Sequence, residues 1–154
     1  MREDPVVLAG TVKRYGAETQ GRVKLLLPVP LVGRVEAYVL PEYAGRQASY
    51  LLHLGMTAHL RWVLGIPKER WRYPESVGEV VPDAEAVLED GVYAVEVDVG
   101  YSRPKMRRKV QTYRLRYDGQ LWGVTSPARE RDVRAFGWPK PVRVVRFSLE
   151  EVAG

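Results

Sequence analysis

Cysteine is absent from the 154 residues. Disulfides, thiolate zinc sites and thiol nucleophiles are excluded together, and the lack of thiols fits a reducing compartment. Histidine is scarce: His53 and His59 are the only two, too few nitrogens for zinc without thiolate partners. Long apolar runs are also missing. MREDPVVLAG has acids after its first arginine and only a brief apolar stretch, Val6–Ala9, unlike a secretory signal. No stretch approaches the length of a membrane span, so a soluble, cytoplasmic protein is expected. No Walker-type loop exists, because GAETQG lacks the closing Lys-Ser/Thr. Ser49, Ser76, Ser102, Ser126 and Ser148 lack a nucleophile-elbow context. There is no internal repeat and no low-complexity tract.

The chain is 45% hydrophobic and 28% charged, a globular composition. Its length fits one ordinary domain or two very small ones. Net charge is +5, and its distribution is uneven. Residues 101–147 hold 13 Lys/Arg against 3 Asp/Glu, whereas residues 1–100 hold 11 against 14. Such asymmetry points to an anionic partner for one region; the competing reading is that basic and acidic segments face each other in the fold. Arginine supplies 18 of the 24 cations. With many Gly, Pro, Val and Leu, this suggests a GC-rich, thermophilic source.

Val6–Arg14 reads as a strand, and GAETQG as a turn. Arg22–Leu27 reads as a second strand, ended by Pro28 and Pro30. Gly33–Leu40 is a third, by its alternation. Glu42–Leu54 reads as a short helix capped by Gly55. Met56–Leu64 alternates and is taken as a strand, because Gly55 inside a helix costs about 1 kcal/mol relative to Ala; a continuous helix to Leu64 is the alternative. Residues 67–91 are proline-rich and irregular, with a helical turn or two at Asp83–Leu88. Val92–Tyr101 alternates as a strand, residues 102–106 form a basic bend, and Arg107–Tyr117 returns. Asp118-Gly119 is a two-residue hairpin signal leading into Gln120–Thr125. This meander sets Tyr93 opposite Leu115 and Leu115 opposite Trp122, with Leu115 and Trp122 in the core. Val142–Leu149 adds a last strand. The expected fold is mainly β: an antiparallel sheet or barrel of α+β type with one or two short helices. The expected segments are 1–66, 67–91 and 92–154, or a single domain over 1–154.

VVLAGTVKR looks like the opening strand of single-stranded DNA-binding proteins, and GMTAHLRWVL like their post-helix strand. Residues 6–64, read as three strands, a helix and a fourth strand, thus resemble the oligonucleotide/oligosaccharide-binding (OB) barrel. That resemblance implies a small barrel that takes single-stranded nucleic acid.

The residues themselves point the same way. Cations meet phosphates with release of counterions, and aromatic faces stack bases. YSRPKMRRKV supplies Tyr101 with Arg103, Lys105, Arg107, Arg108 and Lys109, and no acid. Arg129, Arg131 and Arg134 precede Phe136 and Trp138; Lys68, Arg70 and Arg72 flank Trp71 and Tyr73. Glu96 and Asp98 neutralise only the return strand in the expected register, leaving Arg103, Lys105 and Arg107 unpaired at the tip. The leading expectation is a non-enzymatic protein that binds single-stranded DNA or RNA through this hairpin. Tyr101, Arg103, Lys105, Arg107, Arg108, Lys109, Arg129, Arg131, Arg134, Trp71 and Arg72 would carry the contact, with no catalytic residue, metal or cofactor. The rival is a small adaptor docking on a nucleic-acid machine such as a polymerase, through an acidic patch. A third reading is a Mg²⁺-dependent nuclease built on acids such as Asp83, Glu85, Glu89 and Asp90.

Overall fold

A computed structural model describes residues 3–30, 32–75, 81–98 and 100–154. Val99, within the expected strand Val92–Tyr101, and residues 76–80 of the expected irregular stretch lie outside the described residues. The elements in order are β1 (Val6–Leu8), α1 (Ala9–Tyr15), β2 (Val23–Val29), β3 (Gly33–Val39), α2 (Ala48–Leu64), β4 (Trp71–Arg72) and β5 (Ala84–Leu88). There follow β6 (Gly91–Val97), α3 (Arg103–Arg116), β7 (Gly119–Val124), α4 (Pro127–Gly137), β8 (Val142–Arg146) and α5 (Leu149–Ala153). The protein is a mixed α+β fold with 41% helix and 29% strand, not a closed barrel; the expected mainly-β composition is corrected. Two compact units form, one of residues 66–147 and one of residues 3–65 with 148–154.

In the second of these, β3 pairs antiparallel with β1 on one side and β2 on the other. The expected strand Val6–Arg14 is only three residues long and turns directly into α1, which ends on Gly16 at φ 69°. Pro28 does not stop its strand. It lies inside β2, opposite Arg34, because β2 is at the sheet edge, where a missing N–H removes nothing from the ladder. Residues 48–64 form one helix, not a helix and a strand. Gly55 is buried mid-helix because Leu8 of β1 packs against it; a Cβ there would lie 2.6 Å from the Leu8 side chain. The helix penalty of glycine is outweighed by that close approach.

The other unit has one five-stranded sheet in the order β4-β5-β6-β7-β8. β4, β5 and β6 are antiparallel neighbours, whereas β6, β7 and β8 run parallel. Parallel neighbours require a crossover, and α3 and α4 supply the two. Both pack on one face: Met106, Val110 and Tyr113 of α3 and Val133 of α4 meet Ala94, Trp122 and Val124 of the sheet. The expected bend and return strand are therefore helix α3. Met106, Val110 and Tyr113 recur at helical spacing, and Ser102 caps the start, its Oγ accepting from the Lys105 N–H at 3.3 Å. Ser126 and Ser148 cap α4 and α5 in the same manner. Asp118-Gly119 is no hairpin. The Asp118 carboxylate accepts from the Val92 N–H and its own N–H donates to the Val92 carbonyl, which pins the start of β7 beside β6. Tyr93 then faces Gly119 and Val95 faces Leu121. Trp122 is fully buried as expected, but Leu115 points outward at 79% exposure, because the helical period turns it away from the sheet. Asp83–Leu88, expected as a helical turn, contributes strand β5.

Replacing Gly55 with Ala tests which effect dominates. Propensity alone would stabilise α2 by about 1 kcal/mol; overpacking against Leu8 costs about 1–3 kcal/mol. The expected outcome is a lower urea midpoint at unchanged m-value.

Candidate functional site

The end of strand β6 and the residue after it read Val-Glu-Val-Asp from Val95 to Asp98. Alternation places Glu96 on the face covered by α3, where the Tyr113 hydroxyl donates to its Oε1 at 2.7 Å and the Tyr101 hydroxyl to its Oε2 at 2.7 Å. Lys109 of α3 brings its Nζ to 3.6 Å from Oε2. Glu96 has no solvent exposure, and Lys109 and Asp98 are also buried. Asp83 flanks the same strand: its N–H donates to the Val95 carbonyl at 2.9 Å, and its Oδ2 accepts from the Val97 N–H at 2.8 Å. This clamp holds carboxylate oxygens of Asp83 and Glu96 within 4.8 Å of each other. Asp98 accepts from the Gly100 and Tyr101 N–H groups through Oδ1. Its Oδ2 is buried and takes no hydrogen bond; the Arg129 Nε lies 3.5 Å away, close enough for charge attraction only.

A second carboxylate at this distance disfavours ionisation of the fully buried Glu96. Burial raises the Glu96 pKa most, and the Asp83 charge raises it further, while Lys109 and the two tyrosine hydroxyls act in the opposite direction. Burial, followed by the Glu96 charge, also raises the pKa values of Tyr101 and Tyr113, so both stay protonated donors. An oxygen-liganded divalent cation suits such a site: Asp83 and Glu96 are placed to hold it, with a fixed ammonium alongside.

The structure distributes the sequence-derived contact residues over two settings. Lys109 and Tyr101 belong to the carboxylate cluster, and Arg129 touches its edge through Asp98. The rest, Trp71 apart, lie on the surface. Arg103 pairs with Asp132 of α4 at 3.3 Å, so it is not unpaired as expected. Lys105 lies over the Tyr101 ring, and Arg107 over Phe136. Arg108 and Arg131 are exposed. Arg134 pairs with Glu130 and Arg72 with Glu85. Trp71 is only 3% exposed and cannot offer a face to a base. Sequence reading named Asp83 and Lys109 separately, but not their grouping with the fully buried Glu96. Its available signal was Glu96, a lone carboxylate among the otherwise uncharged residues of Gly91–Val97.

The unit of residues 3–65 and 148–154 holds a second polar network. His59 is 1% exposed; its Nδ1 lies 2.8 Å from the Thr11 Oγ1 and its Nε2 2.8 Å from the Glu151 Oε2. Burial, the largest influence, lowers its pKa, opposed by the hydrogen bond and charge of Glu151, with Arg14 lowering it further. The Glu151 contact is therefore a hydrogen bond from a neutral imidazole near pH 7. A histidine depressed in this way binds its proton more readily in the unfolded chain. The stabilisation is full above about pH 6.5 and is lost as pH falls through that value. Melting temperatures from pH 8 to 5.5 should fall more steeply for the wild type than for His59→Gln; equal slopes would contradict a neutral, buried His59.

No family model, no curated protein and no solved structure matches this chain.

Proposed function

We propose that this chain binds nucleic acid, and that the unit of residues 66–147 hydrolyses phosphodiesters with a divalent cation held by Asp83 and Glu96. The observation that carries this reading is the carboxylate pair within 4.8 Å beside the Lys109 ammonium. A bound divalent cation supplies Lewis acidity and lowers the pKa of a coordinated water. Asp83 and Glu96 would hold it, Tyr101 and Tyr113 keep Glu96 in place, and Lys109 would offset charge developing on the phosphate oxygens. In the net reaction the water oxygen joins phosphorus and the bond to the leaving sugar oxygen breaks. That oxygen takes up the proton the water gives up.

The surrounding charge supports a polyanionic substrate. The unit of residues 66–147 carries 16 Lys/Arg against 12 Asp/Glu, while residues 3–65 with 148–154 balance at 7 against 7. Helix α3 holds seven cations and no acid, so the expected basic hairpin becomes a basic helix. Among the described residues no helix is long and apolar enough to cross a membrane, and the thiol-free composition fits a cytoplasmic site of action. The adaptor reading draws on one observation, the exposure of Leu115 and Trp138, and requires no affinity for oligonucleotides.

Incubating the chain with a fluorescent oligonucleotide in Mg²⁺ or Mn²⁺ should shorten it, and EDTA should stop the reaction. Asp83→Asn and Lys109→Met should each lower the rate about 100-fold or more while still melting cooperatively. Binding without shortening in either metal would leave the non-enzymatic reading standing. Replacing Lys105, Arg107 and Arg131 together with Ala should flatten the slope of log affinity against log salt by about 2–3. No binding at low salt would favour the adaptor.

A further inference from the structure

Trp138 follows the last residue of α4 and is 73% exposed. A large aromatic side chain usually buries 150–250 Å², and this one is left in solvent while its backbone is held. The Trp138 carbonyl accepts from Arg114 Nη1 at 3.0 Å, and the Phe136 carbonyl from the same nitrogen at 3.4 Å. The Lys140 N–H donates to the Gly137 carbonyl at 3.2 Å, and its Nζ to the Tyr117 carbonyl at 2.9 Å. Gly137 sits so close to Val142 that a Cβ would lie 2.5 Å from its methyl carbon. The ring is thus presented on an anchored turn followed by Pro139 and Pro141, with little backbone freedom left to lose on binding.

Its charged neighbours are cations. Arg114 and Lys140 turn their side chains to backbone carbonyls of this turn and of Tyr117, so their positive charge stays uncompensated by those bonds. Arg107, one turn or two further up α3, lies over Phe136. A flat π-face bordered by cations is complementary to a nucleobase bordered by phosphates. It suits an apolar protein surface less well, because docking would desolvate those charges.

We infer that Trp138 is a stacking platform for an unpaired base. The inference rests on the nucleic-acid reading above and narrows the substrate class to single strands, or duplexes carrying an unpaired stretch. In a continuous duplex the bases are already stacked and show the ring no free face. The phosphates flanking the stacked base meet Arg114 and Lys140.

The test compares oligothymidylate with a blunt duplex of equal phosphate count, on the full chain, with EDTA present to prevent cleavage. Trp138→Ala should weaken oligothymidylate binding about 5- to 150-fold, the ratio that stacking of roughly 1–3 kcal/mol gives. Duplex affinity and the salt slope should stay unchanged, and Trp138→Phe should retain most of the single-strand affinity. Melting temperatures should match the wild type, since the ring is exposed. An equal loss on both substrates, or no loss on either, overturns the inference while the nucleic-acid reading survives. A wild type that binds neither substrate overturns both and leaves the exposed ring to a protein partner.

Discussion

Glu96 is a carboxylate removed entirely from water, and an ionised group in that position is tolerated only when hydrogen bonds and counter-charge replace its hydration. Those replacements come from one place. Tyr113 and Lys109 are carried by α3, and Tyr101 by the segment leading into it. The crossover helix therefore cannot shift along the sheet without leaving that buried carboxyl group unpartnered. Its apolar residues, Met106, Val110 and Tyr113, fix the same register against Ala94 and Trp122. Packing and electrostatics demand one position of the helix.

That constraint divides the cations of α3 by role. Lys109 falls on the buried stripe and becomes a partner of Glu96. Arg103, Lys105 and Arg107 fall on the outer faces, where Asp132, Tyr101 and Phe136 receive them. A run of like charge is tolerable because the helix separates its members around the axis. The same segment laid flat as a hairpin would have crowded those charges at a single tip.

Elsewhere polar groups serve cohesion. His59 joins Thr11 of α1 to Glu151 of α5, and Gly10 lets the α5 backbone approach so closely that a Cβ would meet the Glu151 carbonyl oxygen at 2.0 Å. The last helix is five residues long, too short to persist alone. It is kept by these tertiary contacts.

The residue string by itself determined the absence of thiol chemistry, the concentration of positive charge after residue 100, the strands at 33–39 and 119–124, and the burial of Trp122. Local signals also existed for α3, in Ser102 followed by Pro104 and in the spacing of Met106, Val110 and Tyr113, but the Asp118-Gly119 turn pattern competed with them. Whether β6 and β7 run parallel or antiparallel is a pairing between segments more than twenty residues apart, and only the folded chain settles it. That pairing made 103–116 a crossover helix, sent Leu115 to solvent and drew Lys109 inward. It also brought Asp83 beside Glu96, since twelve intervening residues say nothing about distance until β5 and β6 align. Charge, composition and local period are properties of neighbours in sequence; a carboxylate pair such as Asp83 and Glu96 is a property of neighbours in space.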